Sequence, residues 1–187
     1  MKFSNPINKV KKYATTLYDT NEITHGWPHI LAVRKNALRL QKILGGNKEI
    51  IEIAAYLHDC DYSKGIKLHA EASSKKSRRF LNAINYNKTE QVVEAILNHA
   101  AHLHKQAASL EAKIIFDADK METIKPYGIL RVIIYQRTLS FKEMMKKVQY
   151  YCLDIFKELY FNESRKLIKK DYEKTKKIVT ELKKAIR

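Results

Sequence analysis

The sequence predicts an all-α protein, and three observations carry that reading. Its 187 residues include only 5 Gly and 3 Pro, too few breakers for long irregular connections, and the supply of Lys, Leu, Ala, Glu and Ile suits helix. Apolar residues recur at spacings of three and four in one segment after another. No stretch alternates as a strand would, and no internal repeat is visible. A chain of this length buries roughly two-thirds or more of its unfolded surface. A single domain is therefore the simplest expectation for 1–187, with a core over about 20–135 and a basic helical extension over about 137–187.

Each element has its own signal. Residues 30–44, ILAVRKNALRLQKIL, place Ile30, Val33, Ala37, Leu40 and Leu44 on one stripe and stop at Gly45-Gly46, a C-terminal signal. The run KEIIEIAAYLH restarts after Asn47. Residues 68–84 read as a helix with Leu68, Ala72, Phe80, Leu81 and Ile84 inward. In NKTEQVVEAIL, Asn87 with Glu90 three residues later suggests a cap. Ser109 opens SLEAKIIFDADKMETI, which Pro126 and Gly128 interrupt. Ser140 and Glu143 have the spacing of a capping box before a helix whose apolar face is Phe141, Met144, Met145, Val148, Tyr151 and Cys152. The last helix covers about 163–186 and is strongly basic.

Composition narrows the function. No apolar run approaches the ~20 residues of a membrane helix, and MKFSNPINKVKKYA lacks the apolar core of an export signal. The cytoplasm is the expected location, with no membrane partner. Cys60 and Cys152 are the only cysteines, which reads as two reduced thiols rather than a disulfide framework. The 36 basic and 20 acidic residues leave a net charge of +16, favouring anionic partners such as nucleotides or nucleic acid. Residues 137–187 hold 15 Lys/Arg against 7 Asp/Glu, an excess of 15 − 7 = +8, whereas all seven histidines lie between 25 and 104.

Chemistry concentrates in three stretches. THGWPHILAV puts His25 and His29 around a Gly-Trp-Pro turn. AAYLHDCDY delivers His58 and Asp59 at the end of an apolar run and adds Asp61. IIFDADKMETI embeds Asp117 and Asp119 among Ile114, Ile115 and Met121. Carboxylates in apolar surroundings are costly unless paired or metal-bound. Two His and two Asp form a mixed N/O set that suits borderline divalent metals. On base rates each feature alone has a plainer reading: an HD dipeptide recurs by chance, His102 and His104 decorate a helix end, and the lysine-rich tail is a solvated face.

Taken in order, HGWPHILAVRKNA, AAYLHDCDY, HAEASSKKSRRFL, AILNHA and AKIIFDADKMETI resemble the HD-domain superfamily of metal-dependent phosphohydrolases. The likeness is nearest to small stand-alone members that open with a His-x-x-x-His turn, and it covers about residues 20–135. The resemblance implies metal ligation by His29, His58, Asp59 and Asp119, with Asp117 as the fallback for the last. It places Asp59 or Asp61, with His99, as proton acceptor or orienting group. It sets His25 at the mouth of the site, and His69, Lys64, Lys67, Lys120 and Arg131 where phosphate is held. The expected cofactor is a divalent ion (Mn, Fe, Co, Ni, Zn or Mg), and the expected activity is hydrolysis of a nucleotide or another small phosphorylated molecule, of phosphatase or pyrophosphatase type. Two other expectations stand beside it. One is a nucleic-acid-binding or regulatory module with a structural or vestigial metal site; the other is a partner-binding scaffold, a homodimer among the options, presenting the Tyr-rich segments near the C-terminus.

Overall fold

The computed structural model describes residues 5–63, 65, 67–100 and 107–184. Lys64, His102 and His104 lie outside the described residues. Among the described residues every regular element is helical, as the composition and periodicity predict. The chain divides into two compact units, Met1–Phe116 and Asp117–Arg187. No described helix is long and apolar enough to cross a membrane.

The first unit opens with α1 (Pro6–Ala14), which the periodicity argument did not anticipate. Asn5 caps it by accepting from the Ile7 N–H, Pro6 fills the first position, and Val10 and Ala14 are buried. α2 (Trp27–Leu44) begins three residues before the expected Ile30, because Pro28 is preorganised for a first turn. Gly26 makes that start possible: a Cβ there would stand 2.1 Å from the Glu22 carbonyl oxygen. α2 buries Ile30, Val33, Ala37 and Leu40 and ends at Gly45 and Gly46, both with positive φ.

α3 (Lys48–Leu57) is the centre of this unit. Asn47 caps it through the Glu49 and Ile50 N–H groups, and every residue from Ile50 to Leu57 is buried. A helix that is covered all round must be packed all round, and α3 lies against α1, α2 and α5 (Thr89–Leu97). Arg34 from α2 donates to the buried Glu52 carboxylate and lies over the Tyr56 ring.

α4 (His69–Ala83) differs from expectation on its inward face. Leu68 precedes the helix and is 43% exposed; the buried row is Ala72, Ser73, Ser77 and Leu81. Small hydroxyl residues there let α4 approach the Cys60–Asp61 backbone, where Ser73 accepts from the Asp61 N–H at 3.0 Å and Ser77 meets the Cys60 thiol at 3.5 Å. Asn87 does not cap α5. The helix starts at Thr89, whose hydroxyl donates to the Tyr86 carbonyl, and Glu90 pairs with Arg78 instead.

α6 (Leu110–Ile124) starts as predicted, with Ser109 accepting from the Ala112 N–H at 3.1 Å. The division between units falls inside it. Pro126 ends α6 but also opens α7 (Pro126–Tyr135), so the expected break is a helix-to-helix corner. Gly128 is required there, since a Cβ would lie 2.0 Å from the Thr123 carbonyl oxygen. α8 (Phe141–Cys152) has the predicted capping box. Phe141, expected inward, occupies the first helical position and is 48% exposed; Met145, Val148 and Cys152 form the buried row. After a 3₁₀ turn at Asp154–Glu158 comes α9 (Asn162–Lys184). Ile129, Val132, Met145, Val148, Cys152 and Val179 form the core of this second unit.

Asp117 anchors the start of α9. It is fully buried, and its two carboxylate oxygens accept from the Tyr160 and Phe161 N–H groups at 2.8 and 3.0 Å. Burial pushes its carboxyl up to about 6 against the opposing hydrogen bonds from the Tyr160 and Phe161 backbone. Both oxygens are therefore committed to backbone, a structural duty rather than the fallback ligand role. Replacing Asp117 by Ala leaves two buried N–H groups without their acceptor, at about 1–3 kcal/mol each. Urea unfolding should show a loss of about 2–4 kcal/mol; an unchanged midpoint would refute the anchoring role.

Candidate metal centre

Four imidazoles of the first unit converge on one carboxylate. Asp59 is buried, and its Oδ1 lies 3.1 Å from His99 Nε2 and 3.7 Å from His69 Nε2. Its Oδ2 lies 3.3 Å from His58 Nε2 and 3.5 Å from His29 Nε2. The histidines also meet in pairs, His29 with His58 at 3.3 Å and His69 with His99 at 3.0 Å, Nε2 to Nε2 in both cases. Asp59, His69 and His99 each offer a ligand atom within 4.8 Å of the others.

Helix ends aim two of these rings. His58 is the C-cap of α3, and its Nδ1 lies 3.0 Å from the Ala55 carbonyl oxygen. His99 sits one residue past the C-cap of α5, and its Nδ1 lies 2.5 Å from the Ile96 carbonyl oxygen. A helix leaves its last carbonyls without intrahelical partners, and a carbonyl only accepts. Each Nδ1 therefore carries the proton, and in the neutral ring Nε2 is left as a bare lone pair. Burial pushes His99 down to about 4, against the pull of Asp59, so it is neutral at pH 7.

This arrangement tests whether a cation fits. Lone pairs on His58 and His99 face a carboxylate across little more than 3 Å, which is repulsive unless positive charge lies among them. Burial alone would raise the Asp59 carboxyl, yet the imidazoles crowded around it, His58 foremost, hold it well below the usual range, so it faces them ionised. An ionised carboxylate among imidazole lone pairs calls for positive charge, and a divalent ion supplies it with the N/O ligand set it prefers. The Nδ1–H···O=C bonds are the outer contacts that commonly orient ligating histidines. The donor set fits a divalent metal.

The remaining expected residues have surroundings of their own. His25 is half-buried; its ring stacks on Tyr62 at 4.1 Å and meets His29 edge-on at 6.1 Å. Glu22 braces that turn by accepting from the His25 and Thr24 N–H groups. Asp61 lies at the edge, accepting from the Ser63 N–H at 3.0 Å. Lys67 is exposed. Asp119, Lys120 and Arg131 belong to the second unit and are all buried; Lys120 Nζ lies 2.5 Å from Asp119 Oδ2, and Arg131 is close enough to lower Cys152, whose thiol burial pushes up to about 12.

Tyr62 is the residue beside the cluster that sequence reasoning missed. Its ring lies between His25 and His69, 4.8 Å from the latter and nearly parallel to it. It stands inside the quoted AAYLHDCDY stretch, but its partners are 37 positions before and 7 after, and no spacing rule links them.

The family model described as HD domain matches residues 26–124. Among solved structures, an HD-superfamily hydrolase from Bacillus thuringiensis is 22% identical, covers 98% of both chains and has a TM-score of 0.71. The Lin1889 protein of Listeria innocua is 20% identical over 100% of this chain and 98% of its own, with a TM-score of 0.75. YpgQ of Bacillus subtilis, solved in complex with ADP, is 17% identical over 99% of this chain and 97% of its own, also at 0.75. These likenesses establish a shared fold. Comparison with curated proteins gives no match.

The tautomers are directly measurable. In metal-free protein at pH 7, long-range ¹H–¹⁵N spectra should show His58 and His99 as Nδ1–H with an unprotonated or hydrogen-bond-accepting Nε2 on His99. A protonated Nε2 with a bare Nδ1 on His99 would contradict the lone-pair geometry.

Proposed function

The chain belongs to the HD-domain family, and from that premise we propose that it is a divalent-metal-dependent phosphohydrolase acting on a nucleotide or another small phosphorylated substrate. The observation that carries the reading is the convergence of imidazole Nε2 atoms on the buried Asp59 carboxylate. His29, His58, Asp59 and Asp119 are proposed as the ligands. A bound divalent ion would supply Lewis acidity and bring a water's pKa towards neutrality. ADP in the complex of the similarly folded YpgQ supports a nucleotide as the substrate class.

The protein's own groups do the rest. Asp59 fixes the imidazoles by its two oxygens. His99, neutral and held by the Ile96 carbonyl, presents an Nε2 that can accept a proton, with Asp61 as a further candidate at the edge. His25 and Tyr62 form a stacked wall beside His69 that orients whatever enters. Lys64, Lys67, His69, Lys120 and Arg131 are proposed to neutralise phosphate oxygens, where ionised donors give the strongest hydrogen bonds.

The test combines metal content with turnover. A panel of nucleotides and phosphomonoesters should release phosphate or pyrophosphate only with metal present, stop with a chelator, and resume with added Mn, Co or Ni. Asp59→Ala should lose bound metal and more than about 100-fold in turnover, beyond the 10–100-fold typical of losing an outer contact, with its helical circular dichroism intact. Full metal content in that variant would sink the assignment. His25→Ala should reduce turnover while keeping metal; equal metal loss at His25 and His29 would mean that His25 is itself a ligand.

A further inference from the structure

We propose that the outward face of α9 binds the phosphate backbone of a nucleic acid duplex without reading its sequence. Lys166, Lys169, Lys170, Lys174 and Lys177 line a shallow surface on this helix, with Glu173 the one acid among them. At 100° per residue these five lysines fall within a sector of about 140°. Ser164, Ile168, Thr175 and Val179, all buried, occupy the opposite side. The helix therefore divides into a packed stripe and a cationic one.

Four of the five lysines on the cationic stripe meet no carboxylate among the described residues. Elsewhere Arg34, Arg78, Lys120 and Lys125 each meet a carboxylate. Among the described residues, Lys166, Lys169, Lys170 and Lys177 meet none, and Lys174 has only Asp171 at 4.0 Å. Like charges one helical turn apart repel, so the face favours a polyanion that can neutralise several at once. From Lys166 to Lys177 the helix advances about 16 Å, over which a duplex presents about ten phosphate charges.

Two features select a nucleic acid duplex over other polyanions. A helix that adsorbs to a membrane buries a broad apolar face in the lipid boundary, whereas Ile168 and Val179 of α9 are already packed inside its unit and only Ile178 and Leu182 are exposed, outside the lysine sector. Stacking on single-stranded bases needs exposed aromatic rings; Tyr172, the aromatic residue of α9, is half-buried against Phe156 at 4.0 Å. What remains is charge at regular spacing, which recognises a backbone and not its bases.

Salt dependence measures this directly. Fluorescence anisotropy of a labelled mixed-sequence 30-base-pair DNA with the full chain should give a dissociation constant of about 10⁻⁴–10⁻⁶ M near physiological salt. Four or five neutralised phosphates should give a slope of log K against log salt of about −4. The triple variant Lys166→Gln, Lys170→Gln, Lys174→Gln should flatten that slope by about 2.7. A control with the same charge loss on exposed residues, Lys11→Gln, Lys12→Gln, Lys75→Gln, should leave it nearly unchanged. The proposal is overturned by absence of binding at 50 mM salt, or by equal flattening in the control. Binding confined to vesicles of anionic lipid would overturn it as well. Nucleotide hydrolysis by the triple variant should be unaltered, so this test and that of the catalytic reading fail separately.

Discussion

The structure turns on placing a carboxylate where a helix least favours one. Asp59 follows the C-terminus of α3, the negative end of the helix dipole, and it is buried. Ionised groups taken out of water cost several kcal/mol after relaxation unless positive charge accompanies them. Four imidazoles surround it, and the one whose protonation is clearly suppressed, His99, cannot provide that charge. The demand for a cation is thus created by the backbone as much as by the side chains.

Much of the first unit follows from keeping that point fixed. α3 is covered on every side by α1, α2 and α5, so the residues leaving its end have one path. Gly26, which no side chain could replace beside the Glu22 carbonyl, starts α2 where His29 can reach Asp59. The serines of α4 allow it to lie against the Cys60–Asp61 backbone, which brings His69 to the same carboxylate from the other side.

The fold class, most helix boundaries, the helix starts after Asn47 and at Ser109 and the capping box at Ser140 were legible because they depend on neighbours three or four positions away. α1 was not, since its apolar pattern has only Val10 and Ala14 to announce it. Neither was α7, because Pro126 reads equally as the end of one helix or the first residue of another. At the site, the residue types and their order suggested a metal through family resemblance, and the cost of buried carboxylates supported it. That cost misled at Asp117, where the compensation is backbone N–H at the start of α9 and not a metal. The Tyr62 contacts were illegible for the opposite reason: they join chain segments that only tertiary packing brings together.

Helix ends recur as the place where this chain uses a side chain twice. His58 and His99 satisfy carbonyls at the ends of α3 and α5 and, by doing so, direct Nε2 at Asp59. Thr175 does the same structural task for α6, donating to the Ile124 carbonyl at 2.7 Å; there the group is buried and the opposite side of α9 carries the charge. In each case an obligation of the backbone fixes a side chain that then faces one way only. Orphan carbonyls require donors whatever the protein does, so the sole freedom left to the sequence is which donor to supply. Threonine ends the matter with one bond, whereas histidine leaves a second nitrogen pointing outward. Two histidines at two neighbouring helix ends place two such nitrogens against one acid, and that choice of donor separates a helical bundle that merely packs from one that can hold an ion.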